Sequence, residues 1–128
     1  MLLPDKIDPR ATVHKQVPVE IEGREVLVDE WVAPLVEWLN SIPGVTTVYS
    51  CQGFRAYDES GCWGGMAPYI SLRVDSIDTL GKLYNLVGND VPSSIPPTIL
   101  VVDDAIVLRF ERPEQLEFYV KCKFEGDR

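Results

Sequence analysis

Cys51 is the residue whose type and setting point most directly to chemistry. It ends a β-branched strand and is followed by Gln52 and Gly53, a position at which a thiol can act as a nucleophile or a metal ligand. A reactive thiol needs a base or a positive charge beside it, and the sequence offers Arg55 and a single histidine, His14. The alternative is that Cys51 is a small buried side chain without reactivity.

Residues 52–66 follow as a glycine-rich stretch. Its glycines allow close turns, and its aromatic residues are too apolar for a freely solvated tether, so we expect a loop folded back on the protein. Its backbone could form an anion-binding nest, or the loop could be an Ω-loop packed by its own aromatics without a ligand. The residues predicted to bind a ligand or partner are Ser50, Cys51, Gln52, Gly53, Arg55, Tyr57 and Trp63.

The cysteines also raise the question of a metal site. Structural zinc ligands usually come in pairs about two to four residues apart. The available candidates are Cys51, Cys62, Cys122 and His14, and the nearest two cysteines have ten residues between them. We therefore predict neither a metal nor a cofactor. The chain also lacks the glycine motifs typical of phosphate and dinucleotide binding.

Periodic patterns place these residues among strands and helices. Apolar alternation broken at Glu22-Gly23 predicts a hairpin over residues 17–28, and residues 31–42 carry an apolar stripe at helical spacing, with Asp29 as its N-cap. The other predicted elements are a strand at 45–51, a strand at 70–74, a helix from Asp75 or Ser76 to a stop at Gly88, and strands at 98–102, 105–111 and 115–124, with a turn at Asp103-Asp104.

This order predicts an α+β protein in which both helices pack on one face of a mostly antiparallel sheet. The closest architecture is a two-layer sandwich of ferredoxin-like βαββαβ type with extra C-terminal antiparallel strands. Residues 1–128 show no internal repeat or dividing linker, and 45% apolar content suits one compact core. We therefore expect a single domain.

The charge balance restricts the possible partners. Twenty acidic and twelve basic residues give a formal net charge of −8, and no clustered basic face is evident, which argues against direct binding of nucleic acid. The three cysteines and the absence of a signal-peptide pattern favour the cytoplasm, and no apolar run reaches the length of a membrane helix. An exposed edge strand or an apolar patch around Trp63 could mediate a homo-oligomer.

The segment from about Asp29 to Gly53, together with PYISLRV after the loop, resembles small uncharacterised proteins encoded by bacteriophages and prophages. The shared run has an acidic helix start, a Pro-Leu pair, Leu-Asn, a glycine, a Thr-rich strand and Ser-Cys-x-Gly. It covers roughly a third of the chain. The resemblance implies a phage or prophage origin and no particular activity.

A weaker, local similarity is to the methyltransferases of wybutosine biosynthesis, which modify a tRNA base with S-adenosylmethionine and carry a Ser-Cys-Ser-Gly-Arg motif. Ser50, Cys51 and Gly53 match that motif. Gln52 replaces its second serine, and its arginine falls one position late, at Arg55. The chain is also shorter than that family and lacks its downstream histidine. Methyl transfer to RNA is what this similarity implies.

We therefore expect a small phage-type protein that acts as a non-catalytic binding or host-interaction module. Residues 52–66 would contact a protein partner or a small ligand. The alternative is a small enzyme that uses Cys51 on a nucleotide-like substrate, such as an S-adenosylmethionine-dependent RNA-base methyltransferase. The binding module is favoured because catalysis needs convergent acid-base groups, and the sequence identifies few of them.

Overall fold

A computed structural model describes residue 4 and residues 6–57, 63–89 and 96–124, with the backbone alone for residues 55–57, 63, 64 and 89. This part of the chain contains eight strands and three helices. In chain order they are β1 (Gln16–Ile21), β2 (Arg24–Asp29), α1 (Ala33–Ser41), β3 (Val45–Cys51), β4 (Phe54–Tyr57), β5 (Trp63–Met66), β6 (Tyr69–Val74), α2 (Ile77–Asn89), β7 (Thr98–Val102), β8 (Ala105–Arg109) and α3 (Pro113–Phe124).

The main sheet has four strands in the order β3-β6-β8-β7, and every neighbouring pair is antiparallel. The predicted α+β class is confirmed. A ferredoxin-like sheet would include a strand from residues 17–28, but the described strands there form the separate hairpin β1-β2. Its turn lies at Glu22 and Gly23, and the β7-β8 turn lies at Asp103 and Asp104, as predicted.

One core joins the sheet to all three helices. Alternate residues of the central strands are buried, with Ile70 and Leu72 on β6 and Ile106 and Leu108 on β8. This period of two is what a strand with one buried face requires. The helices cover that face with their own buried residues, among them Leu35, Val36, Leu39, Leu83, Val87, Leu116, Tyr119 and Val120.

The strand predicted at residues 115–124 is wrong, because α3 spans this segment. Alternating apolar residues there suggested a strand, yet Leu116, Tyr119 and Val120 also lie three and four residues apart and are all buried. Pro113 stands at the first helical position, where its missing N–H costs nothing, and Glu114 lies in the first turn. The predicted C-terminal antiparallel extension therefore stops at β8.

The helix boundaries agree only in part with the predictions. Of the two predicted starts of α2, Ser76 is the cap, because its hydroxyl accepts a hydrogen bond from the Thr79 N–H at 3.1 Å. The helix continues past the predicted stop at Gly88 to Asn89. Asp29 does not cap α1; Val32 holds that position without a side-chain hydrogen bond. None of the helices in the described ranges has both the length and the apolar character of a membrane span.

Candidate functional site

Cys51 is the last residue of β3 and pairs with Tyr69 of β6. A register shift between Thr47 and Tyr49 marks a bulge in β3. In a regular strand, Tyr49 and Cys51 would share the core-facing side of the sheet with the buried residues Val45 and Thr47. The extra residue at the bulge reverses the alternation, so Tyr49 and Cys51 lie on the opposite side, where Tyr49 is 69% exposed. The bulge thus moves the thiol out of the hydrophobic core, and Cys51 is half-buried.

Asp29 brings polar groups to this thiol. It ends β2, is only 8% exposed, and accepts hydrogen bonds at both carboxylate oxygens. Oδ2 lies 3.0 Å from the backbone N–H of Gln52 and 2.9 Å from Nδ1 of His14, and Oδ1 lies 3.3 Å from Nε2 of Gln16. The carboxylate therefore joins the β1-β2 hairpin to the end of β3.

His14 completes the group. Its side chain is 6% exposed; Nδ1 faces Asp29, and Nε2 lies 2.7 Å from the carbonyl oxygen of Ala11. Both ring nitrogens thus face oxygen acceptors, and neither is open to take a proton from Cys51. One ligand atom each from His14, Asp29 and Cys51 lies within 4.8 Å of the others.

This geometry does not form a nucleophilic triad. In such a triad, the histidine nitrogen opposite the carboxylate faces the nucleophile, whereas Nε2 of His14 faces a backbone carbonyl. Burial raises the pKa of the Cys51 thiol; the Gly53 N–H lowers it, while the charge of Asp29 and a hydrogen bond to Asp29 raise it further. The thiol is therefore protonated at neutral pH, unlike an activated cysteine.

We expect this raised pKa to appear in the pH dependence of stability. In the folded protein the thiol keeps its proton above the ordinary value of 9.0, while in the unfolded chain it ionises. The unfolded state then binds fewer protons, so the free energy of unfolding should fall as the pH rises above about 9. Urea unfolding of the wild type at neutral pH and at alkaline pH measures this slope.

Cys51→Ser should flatten that alkaline slope, whereas Cys122→Ser should leave it unchanged. Cys122 is the matched control because it is also half-buried but lies in α3, outside the group around Asp29. Equal slopes for the wild type and Cys51→Ser would contradict the assigned pKa shift.

Gln52 and Gly53 serve the fold at this point. Gln52 is 4% exposed, and its Oε1 accepts a hydrogen bond from the backbone N–H of Trp31 at 3.2 Å, so its side chain faces inward. Gly53 has φ +75°, and its N–H donates to Sγ of Cys51 at 3.3 Å. A Cβ on Gly53 would lie 2.6 Å from the carbonyl oxygen of Met66, which explains the glycine sterically.

The described parts of the glycine-rich stretch, residues 52–57 and 63–66, contain two paired strands where we predicted a loop folded back on the protein. β4 and β5 are antiparallel, with Phe54 opposite Met66. Two residues on each strand separate this pair from Cys51 and Tyr69, so the β4-β5 hairpin keeps the register of β3-β6. It is an extension of the main-sheet hairpin, interrupted at Gln52-Gly53 and Ala67-Pro68.

The remaining predicted site residues divide between the sheet and this hairpin. Ser50 is a half-buried residue of β3 opposite Ile70. Arg55 lies opposite Gly65, and Tyr57 lies opposite Trp63; the side chains of these three predicted residues are outside the described part of the structure. Cys62, one of the zinc candidates, also lies outside the described residues.

Asp29 is the site residue that sequence reasoning missed, because it was interpreted as a helix cap. A usable signal was present in the predicted turn at Glu22-Gly23. Hairpin register follows from the turn, and this turn pairs Gln16 with Asp29, which brings the nearby His14 to the same strand end.

Comparison of the chain with protein-family models, with curated proteins and with solved structures found no match.

Proposed function

We propose that this protein is a non-catalytic binding module and that its β4-β5 hairpin recognises a protein partner. The observation that carries this proposal is the continuous register between β3-β6 and β4-β5. A hairpin that continues a core ladder is held in a defined direction, whereas a free loop of equal length would have to be ordered on binding. Preorganisation of this kind reduces the entropic cost of association.

Contacts at the base of the hairpin support this role. Gly53 packs against the backbone of Met66 and Pro68, and the buried Gln52 connects the same position to Trp31. On the strands themselves, Met66 is 45% exposed. The base is thus anchored in the protein body, while part of the hairpin faces solvent.

The hairpin also offers backbone groups to a partner. Among the described strands, β4 and β5 pair only with each other, so each has one edge without a neighbouring strand. A two-stranded hairpin alone is marginally stable in water, and open edges accept an added strand from another chain. We therefore favour a protein over a small ligand, with strand addition as the mode of binding.

The charge and the resemblance suggest what kind of protein this partner is. A net charge of −8 favours association with a basic surface and disfavours nucleic acid. The similarity to phage and prophage proteins favours a bacterial host protein, with a second copy of this chain as the alternative partner. The cytoplasm remains the expected compartment.

The enzymatic alternative, including S-adenosylmethionine-dependent methyl transfer, remains a prediction. Acid-base or covalent catalysis by the residues near Cys51 would require a nitrogen of His14 free to accept a proton, and both ring nitrogens already face acceptors. It would also require an ionised thiol, and the pKa of Cys51 is raised. These observations favour binding over catalysis.

A variant without the β4-β5 hairpin should show whether the hairpin is needed for binding but not for folding. We would replace residues 54–66 by a short Gly-containing turn between Gly53 and Ala67, because Gly53 already lies close to the backbone of Met66 and Pro68. Full-length and shortened proteins would be used as paired baits in bacterial extract. We expect the shortened protein to stay folded and to lose a partner that the full-length protein retains, with binding to the purified partner at least about tenfold weaker.

Amide hydrogen exchange would then locate the contact. Added purified partner should protect the amides of residues 54–57 and 63–66 in the full-length protein. Equal binding of a partner to both baits would exclude the hairpin as the recognition element. A thermal shift with S-adenosylmethionine or a nucleotide that disappears in Cys51→Ala would favour the enzyme instead, and concentration-dependent light scattering would identify self-association.

A further inference from the structure

We propose that His14, Asp29 and Cys51 bind one zinc ion at the base of the β4-β5 hairpin. The three side chains come from a segment before β1, from the end of β2 and from the end of β3, yet their ligand atoms lie within 4.8 Å of one another. Imidazole nitrogen, carboxylate oxygen and thiolate sulfur are the three ligand types that zinc accepts. This inference is independent of the proposed partner.

Each of the three ligands is oriented by a second partner. Nε2 of His14 lies 2.7 Å from the Ala11 carbonyl oxygen, which leaves Nδ1 as the metal-binding atom. Metal-bound histidines usually donate their other N–H to a carboxylate or a backbone carbonyl in this manner. Oδ1 of Asp29 accepts from Gln16, and Sγ of Cys51 accepts from the Gly53 N–H.

The charges of the three ligands match a divalent cation. A carboxylate and a thiolate together balance Zn²⁺, and the neutral imidazole adds no charge, so the occupied site is electrically neutral. Neutrality is important here because Asp29 is 8% exposed, and an unbalanced charge is costly in such a place. On binding, the thiol proton and the proton between Nδ1 and Oδ2 pass to solvent, and the metal takes their place.

The distances require a small rearrangement. Two ligands of a tetrahedral zinc ion lie about 3.4 Å apart for nitrogen and oxygen, given bond lengths near 2.1 Å. Nδ1 and Oδ2 are 2.9 Å apart and share a hydrogen bond, so binding would open this pair by roughly half an ångström. Three protein ligands leave the fourth position for water or for a group of a bound partner.

The sulfur and nitrogen ligands select among metals. Magnesium and calcium prefer oxygen ligands throughout, whereas a mixed sulfur, nitrogen and oxygen set of three favours zinc. Cobalt(II) occupies such sites and provides a spectrum, so it serves as the probe. Titration of the reduced, metal-free protein should give a thiolate-to-cobalt charge-transfer band that saturates at one equivalent and disappears when zinc is added.

Two cysteine variants should identify which cysteine supplies the sulfur ligand. The double variant Cys62→Ser/Cys122→Ser keeps Cys51 as its one thiol, and we expect it to retain the band and the zinc affinity. Cys51→Ser should lose the band and bind zinc at least about a hundredfold more weakly, because loss of a ligand exceeds the effect of losing an outer-shell partner. The reverse pattern in these two variants would overturn the proposal.

Wild-type measurements keep the test decisive if a variant fails to fold. A hundredfold excess of free zinc over its Kd should raise the Tm by roughly 10 °C, since the folded state alone holds the three ligands together. X-ray absorption of the zinc-loaded protein should show one sulfur ligand with nitrogen and oxygen. No thiolate band in folded protein at saturating cobalt, or a zinc ion without a sulfur ligand, would overturn the proposal.

Discussion

Gly53→Ala is expected to lower the free energy of unfolding by about 3 kcal/mol or more, which corresponds to a Tm decrease of roughly 10 °C. The added Cβ would lie 2.6 Å from the Met66 carbonyl oxygen and 2.7 Å from the Pro68 nitrogen. Both are backbone atoms and cannot turn aside as a flexible side chain would. The residue must also keep φ +75°, a conformation that costs alanine about 1 kcal/mol.

Gly23→Ala is the matched control because Gly23 has φ +76° but no atom within 4 Å of an added Cβ. It should cost about 1 kcal/mol, since strain in the backbone is its main penalty. Urea unfolding followed by circular dichroism measures both variants. Similar decreases in the free energy of unfolding for Gly53→Ala and Gly23→Ala would show that the close backbone approach at Gly53 contributes little to stability. This result would contradict the proposal that the base of the β4-β5 hairpin is anchored there.

Asp29→Ala should be comparably destabilising, with an expected loss of about 2 to 5 kcal/mol. Removal of the carboxylate leaves the Gln52 N–H without its acceptor and deprives His14 of its charged partner, both in a largely buried place. Each unsatisfied buried polar group costs about 1 to 3 kcal/mol, and this substitution leaves the Gln52 N–H and Nδ1 of His14 without their acceptor. Urea unfolding at neutral pH measures the loss.

Glu25→Ala is the control for the loss of a carboxylate from the same strand. Glu25 is exposed on β2 and lies opposite Glu20, so its removal relieves a repulsion and should change stability by less than about 0.5 kcal/mol. A loss for Asp29→Ala no larger than that for Glu25→Ala would contradict the role of Asp29 as the connection between the hairpin and β3.

Asp29→Asn adds an independent test of the same carboxylate. Asparagine retains one acceptor oxygen, so the stability loss should be smaller than for alanine. It removes the negative charge that helps raise the pKa of Cys51, so this pKa should fall. Iodoacetamide should then alkylate Cys51 faster than in the wild type at the same pH. An unchanged rate in a folded variant would mean that the charge of Asp29 does not influence the thiol.

Local patterns in the sequence were sufficient for several elements. β-branched residues predicted β3 at residues 45–51, and turn-forming residues predicted the reversals at Glu22-Gly23 and Asp103-Asp104. The start of α2 was predicted at Asp75 or Ser76, and Ser76 is its cap. These features depend on residues within a few positions of one another, so propensity and hydrogen-bonding chemistry determine them directly.

Other features depended on contacts that local patterns do not contain. Residues 115–124 satisfy the period of a strand and that of a helix, and packing of Leu116, Tyr119 and Val120 into the core decides for the helix. The glycine-rich stretch was predicted as a loop, whereas its described strands β4 and β5 pair in the same register as β3 and β6. In both cases the decisive interactions are non-local.

The candidate site shows the same division most clearly. The sequence by itself identified Cys51 as a strand-end thiol and His14 as its possible neighbour, and it determined the hairpin turn that sets Asp29 opposite Gln16. Only the tertiary structure brought these segments together, because the β1-β2 hairpin reaches the end of β3 through the buried Asp29 carboxylate and the Gln52 N–H. Burial and the hydrogen-bond demand of that carboxylate are properties of the assembled fold and of no single segment.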